Sequence, residues 1–210
     1  MGYTLYGRRQ TGAMAIEVAL ALTGTDWSLK DLPRPATSVE RAALSKINPR
    51  GQVPVLIHPD GTVITEGPAI LSHLADAFPA AGLAPAPGTS ARAWHDRWLG
   101  FFHANVYEGM LRELAPGRYT TDTAGAPAVA SAATDYVRRH FLIFEAERAN
   151  RLAKGLIAEN SLSTLDIYLW MLCYWMDAAW LSANCPVIAA HWNRLCSLPA
   201  LHPVAKSHFG

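Results

Sequence analysis

Length, composition and charge place this chain among folded globular proteins. Its 210 residues suffice for one large or two small domains, and half of them are hydrophobic while only 17% are charged. That balance excludes an intrinsically disordered chain, and a formal net charge of +1 provides no electrostatic basis for binding nucleic acid.

The N-terminal part alternates strand and helix patterns. A short strand is predicted over residues 3–6, followed by an Ala-rich helix over residues 13–22 that ends before a glycine. A second strand over residues 26–29 would complete a parallel βαβ unit. Residues 38–47 are predicted to form a short helix with Ser38 as its cap.

Residues 48–70, with the sequence NPRGQVPVLIHPDGTVITEGPAI, predict a β-hairpin followed by a helix. Residues 53–57 are rich in β-branched side chains, and a Pro-Asp-Gly turn separates them from a second extended run. The helix is predicted from residue 68 to residue 78, with Gly67 at its cap and a proline at its first position.

Pro54 is unusual within a strand pattern, because proline removes a donor from the ladder of hydrogen bonds. We therefore expect it on an edge strand or at a bulge. The backbone of Val53 could then pair with an extended ligand by strand addition. The N-terminus of the following helix offers N–H groups that suit a carboxylate. Together these features predict a site for a short anionic peptide.

A linker rich in Pro, Gly and Ala, residues 80–88, separates a first domain, residues 1–79, from a second domain, residues 89–210. The second domain is predicted to be entirely helical. Its first two long helices are expected over residues 90–114 and 126–152.

A capping box from Ser163 to Asp166 predicts the start of a further helix over residues 165–181. This helix is apolar nearly all round, which is typical of the buried central helix of a bundle. We reject a membrane span, because its apolar run is well short of the ~20 residues that cross a bilayer.

The three cysteines are odd in number and lack CxxC or metal-ligand spacing; they are Cys173, Cys185 and Cys196. We therefore expect reduced thiols, no metal site and a cytoplasmic location. Polar residues 8–10 interrupt the N-terminal segment, so no signal region is expected.

The segment NPRGQVPVL, followed by a strand and by Glu-Gly-Pro-Ala-Ile from Glu66, resembles the glutathione-binding half of the cytosolic glutathione S-transferases. In that family a cis-proline follows a Val, and an acidic residue followed by Ser starts a helix. Gly67 here replaces that Ser, which keeps the backbone donor and loses the hydroxyl. The resemblance extends over the whole chain, which is similar to bacterial members of the family. It implies a thioredoxin-like βαβαββα domain followed by an all-α domain. It also implies that Ser163 and Asp166 serve folding.

The resemblance implies glutathione as the co-substrate. The backbone of Val53 would pair with the cysteinyl unit, Glu66 would accept from the γ-glutamyl ammonium, and Gly67 would donate to the adjacent carboxylate. The implied glutathione contacts are Gly12, Ala13, Gln52, Val53, Pro54, Glu66 and Gly67. Arg50 is expected to face water. Residues 8–10 could meet the glycyl carboxylate or face water, and the second alternative is favoured.

Conjugation requires a thiolate, whereas a free thiol has a pKa of ~8.5. A hydrogen-bond donor directed at the sulfur near a helix N-terminus would lower that pKa. The segment from Thr11 resembles the Ser-containing opening of bacterial members, with Thr11 in the place of that Ser. Tyr6 is a second candidate, because some classes use a Tyr near the end of the first strand. The backbone N–H groups of Gly12 and Ala13 are a third. Thr11 as a simple helix cap and Tyr6 as a core aromatic remain open.

The resemblance places the electrophile against the first helix of the second domain. The expected wall residues are Phe102, His103, Val106 and Tyr107. The same aromatic stripe could instead belong to the core or to a dimer interface. No partner for His103 is evident in the sequence, so no acid–base role is assigned to it.

Three hypotheses follow from these residues. The first is a glutathione transferase that acts on small hydrophobic electrophiles, as a homodimer and without nucleic acid or membrane as a partner. The second is a glutathione-dependent peroxidase, dehalogenase or isomerase. The third is a non-catalytic binding protein, which the departures at Thr11 and Gly67 keep open.

Overall fold

The computed structural model describes residues 2–153 and 162–210. The chain divides into two compact units, one extending to Pro87 and including Ser197–Gly210, the other comprising Gly88–Cys196. The sequence had assigned residues 197–210 to the second domain. They belong instead to the first unit, because the C-terminal helix packs against the first helix of the chain.

The first unit is built on a mixed sheet with the strand order β2-β1-β3-β4. Strands β1 and β2 are parallel, whereas β3 runs antiparallel to both of its neighbours. The strands are β1 Tyr3–Gly7, β2 Trp27–Asp31, β3 Val55–Ile57 and β4 Val63–Ile64. With the helices between them, they confirm the predicted thioredoxin-like order.

The first three helices of this unit agree with the predicted positions to within one or two residues, whereas its last helix was not predicted. The helices are α1 Ala13–Thr23, α2 Ser38–Ile47, α3 Gly67–Ala77 and, at the end of the chain, α10 His202–Phe209. Helix α1 is almost wholly buried and ends at Gly24, which adopts a φ of 68° as helix-terminating glycines do. The N-cap of α3 is Glu66 rather than the predicted Gly67.

The prediction that Pro54 lies in an edge strand was wrong. Strand β3 is interior, between β1 and β4, and its paired residues begin at Val55. Pro54 therefore precedes the ladder and removes no donor from it. The backbone of Val53 and Pro54 therefore lies outside the sheet pairing because it precedes β3, and not because β3 is an edge strand.

The N-cap of α2 is Thr37, not Ser38 as predicted. The Thr37 hydroxyl accepts from the backbone N–H of Glu40 at 3.2 Å, and the Glu40 carboxylate accepts from the backbone N–H of Thr37 at 2.8 Å. Thr37 and Glu40 have the spacing of a capping box, whereas Arg41 follows Ser38 at that distance.

Replacing Thr37 by Ala is expected to lower the free energy of unfolding by about 1 kcal/mol, because the cap of α2 is lost. Chemical denaturation measures this change. Ser38→Ala is the matched control and should leave stability within about 0.5 kcal/mol. Equal losses in the two variants would contradict the assignment of the cap to Thr37.

The second unit is helical, as predicted. Its helices are α4 Ser90–Phe101, α5 Glu108–Leu114, α6 Ala126–Ala153, α7 Thr164–Cys173, α8 Ala178–Asn184 and α9 Pro186–Cys196, with a π-helical segment, Phe102–Tyr107, joining α4 to α5. The predicted long helix over residues 90–114 is thus a continuous helical run with a π-helical interior. Within residues 2–153 and 162–210, no helix is long and apolar enough to span a membrane.

The helix predicted over residues 165–181 ends early, at Cys173. The backbone N–H groups of residues 174–176 bond to carbonyls three residues back, which tightens the chain into a turn. The Asp177 carboxylate then accepts from the N–H groups of Ala179 and Trp180 and caps α8. Asp177 is an N-cap signal that the apolar pattern concealed.

The cysteine side chains of the second unit are mostly removed from solvent. Burial raises the pKa of the Cys173 thiol well above its usual value and that of Cys185 to about 12. The thiolate is the reactive form of cysteine. These thiols are therefore poor nucleophiles.

Candidate functional site

Three segments of the first unit converge at one edge of the sheet. Strand β1 runs towards this edge, and Tyr6 near its end lies opposite Val55 at the start of β3. Strand β4 also ends there, with Ile64 opposite Leu56. The loop after β1, the residues before β3 and the turn after β4 therefore emerge side by side. This brings together the predicted site segments around Thr11, Val53 and Glu66.

Glu66 has a strained backbone at this edge. Its φ of 65° and ψ of 112° lie in a region that residues with a Cβ rarely adopt. Holding a residue there costs about 1–3 kcal/mol, and such strain concentrates at binding and catalytic sites. The Glu66 side chain is half exposed, at the N-terminus of α3.

Arg50 pairs with Glu66 across the site. The Arg50 Nη1 atom lies 2.7 Å from Glu66 Oε1. The sequence predicted a solvated turn residue, and the Arg50 side chain is indeed half exposed, but its pairing with Glu66 was missed. The two residues are 16 positions apart, so no local spacing rule indicates the contact.

Asn48 fixes the segment that leads into β3. Its side chain is buried, its Oδ1 accepts from the Arg50 backbone N–H at 3.1 Å, and its Nδ2 donates to the Gln52 carbonyl at 2.9 Å. The Val53–Pro54 peptide bond that follows is cis, as the resemblance implied. Asn48 was not predicted as a site residue, although an Asn that opens a turn is known to form side-chain hydrogen bonds to the backbone that follows it.

Helix α3 begins with Gly67, which is buried, and continues with Pro68. The first N–H groups of a helix have no carbonyl acceptor within it, and Pro68 carries no N–H. The backbone N–H groups of Gly67 and Ala69 therefore form the donor set at this terminus. The positive end of the helix dipole favours a carboxylate here.

The Thr11 hydroxyl is engaged in a turn at the start of α1. It donates to the carbonyl of Arg8 at 2.6 Å and accepts from the backbone N–H of Ala13 at 3.3 Å. Gly12 occupies the formal N-cap position, without a side-chain bond. Thr11 is therefore already a turn-forming residue, and its hydroxyl proton must rotate before it can reach another acceptor.

Tyr6 and the start of α1 lie on opposite faces of the sheet. Side chains alternate along β1, where Leu5 and Gly7 are buried and Tyr6 is half-buried. A Cβ on Gly7 would lie 2.9 Å from the Ala13 Cβ, so α1 begins over the face of Leu5 and Gly7. This arrangement separates the Tyr6 side chain from Thr11 and favours Thr11 between the two hydroxyl candidates.

Arginine side chains gather beside the loop after β1. Arg8, Arg9 and Gln10 line a cavity of about 410 Å³ together with Arg34. Burial, reinforced by the neighbouring charge of Arg34, lowers the pKa of Arg8. Asp31 lines the same cavity, and its negative charge partly offsets that of the arginines.

Two of the four predicted wall residues face the interior of the second unit. Phe102 and Val106 are fully buried, and the Phe102 ring lies 4.7 Å from that of Phe144. The reason is that a π-helical segment, like an α-helix, turns its most apolar side chains towards the bundle core. Neither side chain is positioned to contact a ligand from the surface.

His103 and Tyr107 are the half-buried members of the predicted wall. The sequence showed no partner for His103, and the structure supplies one, because its Nδ1 lies 2.9 Å from the Tyr168 hydroxyl. The rings of His103 and Tyr107 stack with centroids 5.5 Å apart, and Tyr107 also contacts Trp175. They form an aromatic cluster on a π-helical segment, a feature found frequently at functional sites.

Comparison with known proteins finds similarity to one family. Residues 13–77 match the family model for the glutathione S-transferase N-terminal domain. The chain is 31% identical over 105 residues to glutathione S-transferase GstA of Escherichia coli O157:H7, covering 50% of this chain and 52% of that relative. It is 35% identical over 79 residues to maleylacetoacetate isomerase of Pseudomonas aeruginosa PAO1, covering 37% of this chain and 36% of the relative.

Among solved structures, the chain is similar to a sphingomonad glutathione S-transferase complexed with glutathione. The identity is 26%, the TM-score is 0.76, and the match covers 98% of both chains. The chain thus spans about half and about a third of the lengths of the two sequence relatives, but almost the full length of this structure.

Proposed function

Because the chain belongs to the glutathione S-transferase family, we propose that it binds reduced glutathione and promotes attack of the thiolate on a small apolar electrophile. The observation that carries the proposal is the strained Glu66, which projects a carboxylate beside the N-terminus of α3. Strain of this kind persists where the surrounding structure holds it for a function.

The site offers a complementary group for each charged end of the γ-glutamyl unit. Glu66 accepts from the ammonium group, and the N–H of Gly67 donates to the neighbouring carboxylate. Arg50, which lies 2.7 Å from Glu66, supplies a cation for that same γ-glutamyl carboxylate. The backbone of Val53, outside the sheet pairing, bonds to the cysteinyl unit, and Gln52 and Pro54 flank it.

Thr11 activates the thiol in this proposal. Its hydroxyl proton rotates from the neutral carbonyl of Arg8 to the thiolate sulfur. The exchange is favourable because a hydrogen bond to an ionised acceptor is roughly twice as strong as one to a neutral acceptor. The first-turn N–H groups of Gly12 and Ala13 and the dipole of α1 add to the stabilisation of the thiolate.

Replacing Thr11 by Val is expected to raise the pKa of bound glutathione by about one unit, which corresponds to about 1.4 kcal/mol. Turnover of an activated aryl halide at neutral pH should fall about tenfold, because fewer bound thiols are ionised. Ultraviolet titration of the thiolate and steady-state kinetics measure the two effects.

Two controls separate thiol activation from turn formation. Thr11→Ser keeps the hydroxyl and should keep the low pKa, and affinity for S-methylglutathione, which has no ionisable thiol, should be unchanged in both variants. An identical thiol pKa in the Val variant and the unaltered protein would remove Thr11 from the mechanism. The N–H of Gly12 and the Tyr6 hydroxyl would then be tested.

The aromatic cluster of the second unit is the proposed binding surface for the electrophile. His103 and Tyr107 expose part of their rings, whereas Phe102 and Val106 stabilise the cluster from within the core. Aromatic faces suit an apolar, planar electrophile. An attack by a preformed thiolate needs no further base, so His103 has a binding role here.

A glutathione-dependent isomerase is the second candidate. The maleylacetoacetate isomerase match, at 35% identity, supports it. An isomerase returns glutathione unchanged, whereas a transferase consumes it and a peroxidase oxidises it. Following free thiol and oxidised glutathione during turnover distinguishes these activities, and binding without any turnover would indicate a non-catalytic role.

We also propose a cytoplasmic homodimer. The sequence has large aromatic residues near the linker that would suit an interface, namely Phe78, Trp94 and Trp98. Trp98, however, is buried against Phe144 within its own unit. The support now comes from exposed aliphatic residues on α6, Leu142 and Ile143. Light scattering at micromolar concentration should give twice the 22.8 kDa mass of one chain. A mass near 22.8 kDa would contradict the dimer.

A further inference from the structure

The C-terminal helix is tied to the loop after β1 by one histidine. The backbone N–H of Gln10 donates to His208 Nδ1 at 2.9 Å, and the Gln10 side-chain amide donates to the His208 carbonyl at 3.3 Å. On the other side of the ring, His208 Nε2 lies 3.0 Å from Glu17 Oε1, on α1. The contact joins residues 198 positions apart.

The geometry fixes the tautomer of this histidine. A backbone N–H can only donate, so His208 Nδ1 is the acceptor and carries no proton. The ring proton therefore resides on Nε2 and is donated to the carboxylate of Glu17. The side chains of His208 and Glu17 are 1% and 7% exposed, so water does not compete for the bond between them.

The bond from Gln10 stabilises a backbone conformation that is otherwise unfavourable. Gln10 has a φ of 55°, in the left-handed region that side chains with a Cβ disfavour. The next residue is Thr11, whose hydroxyl and carbonyl organise the start of α1. The orientation of Gln10 therefore sets the direction in which Thr11 enters the site.

We propose that His208 is a positioning residue for the glutathione thiol, acting through Gln10 on Thr11. Glu17 holds the imidazole in the tautomer whose Nδ1 accepts from the loop. The loop then presents the Thr11 hydroxyl at the edge of the sheet where the three site segments meet. His208 itself contacts no ligand. The inference rests on the proposed function for its link to glutathione, whereas the ordering of the loop by His208 stands independently of it.

Two matched variants separate the halves of the imidazole. In His208→Asn the side-chain oxygen takes the place of Nδ1 and can accept from Gln10, but the bond to Glu17 is lost. In His208→Gln the amide nitrogen takes the place of Nε2 and can donate to Glu17, but no acceptor faces Gln10. Only the Gln variant should release the loop.

Hydrogen exchange of the full chain without ligand is the first readout. The amide of Gln10 should exchange about fivefold faster in His208→Gln than in the unaltered protein, as expected for one lost hydrogen bond. It should stay within about twofold in His208→Asn. Amides of β3 should not change in either variant, because they are remote from this contact.

Glutathione chemistry is the second readout. In His208→Gln the pKa of the bound thiol should rise and kcat should fall by about fivefold, while affinity for S-methylglutathione stays constant. In His208→Asn both should remain close to those of the unaltered protein. This rescue by the variant that keeps only the acceptor would not follow from a general structural role.

The outcomes against the proposal are distinct. Equal behaviour of the Asn and Gln variants, including a uniform loss of exchange protection in both, would make His208 a structural residue and overturn the inference. Failure of the unaltered protein to bind S-methylglutathione would instead overturn the proposed function. The contrast in Gln10 exchange would in that case still decide whether His208 orders the loop.

Discussion

Replacing Asp166 by Ala is expected to lower the free energy of unfolding by about 3–5 kcal/mol, the largest effect we foresee for a single side chain of the second unit. Asp166 is fully buried, with Oδ2 accepting from the Ser163 N–H at 3.0 Å and Oδ1 lying 3.1 Å from His191 Nε2. The guanidinium of Arg194 can only donate to His191 Nδ1, so Nε2 carries the proton and donates to Asp166.

The expected loss arises from the groups that are left behind. The variant leaves the N–H and hydroxyl of Ser163 and the Nε2–H of His191 without an acceptor in a dry interior. Each unsatisfied buried group costs about 1–3 kcal/mol. The capping box at the start of α7 and its connection to α9 are lost together.

Urea denaturation measures this effect as a lower midpoint at an unchanged slope. Asp166→Asn keeps one acceptor oxygen and should cost less than Asp166→Ala. The exposed Asp135 on α6 offers a matched control, because Asp135→Ala should change stability by no more than about 0.5 kcal/mol. A loss below about 1 kcal/mol in Asp166→Ala would show that the network contributes little.

The same network shows which parts of the fold a sequence reveals. The box from Ser163 to Asp166 was predicted, because both ends of each bond lie within four residues and follow a known spacing. The partner His191 was not, because it is 25 positions away and its approach depends on how α9 packs against α7. The break after Cys173 was missed because a fully apolar pattern conceals a local turn.

The candidate site divides in the same way. The segments around Val53 and Glu66 carry a motif, and their convergence follows from strand directions that the βαβαββα order predicts. Whether the strand that follows Pro54 is an edge strand depends on the order of the strands in the sheet, and local sequence does not determine that order. The contacts of Arg50 with Glu66 and of Gln10 with His208 join distant positions, so neither could be deduced from spacing. The backbone strain at Glu66 likewise depends on tertiary packing.

Glu66→Ala is expected to weaken glutathione binding by about 1.5–3 kcal/mol, the range for a hydrogen bond to a charged group. Calorimetric titration measures the change as a loss of about 10- to 150-fold in affinity. Arg50→Ala breaks the same ion pair and also removes the proposed cation for the γ-glutamyl carboxylate, so the pair itself is measured through stability rather than affinity. Since both side chains are half exposed, that pair should contribute no more than about 1 kcal/mol to stability.

Glu66→Gly tests whether strain and function belong to the same residue. Glycine adopts a φ of 65° without a Cβ clash, so this variant should unfold at a higher temperature than Glu66→Ala, with a gain of about 1–2 kcal/mol. It should nevertheless bind glutathione as weakly as Glu66→Ala, because both lack the carboxylate. If Glu66→Gly is more stable than Glu66→Ala and binds glutathione more weakly than the unaltered protein, the strained conformation is retained for the ligand. If Glu66→Gly binds glutathione as well as the unaltered protein, the carboxylate is not a ligand contact and the placement of the γ-glutamyl unit at α3 is wrong.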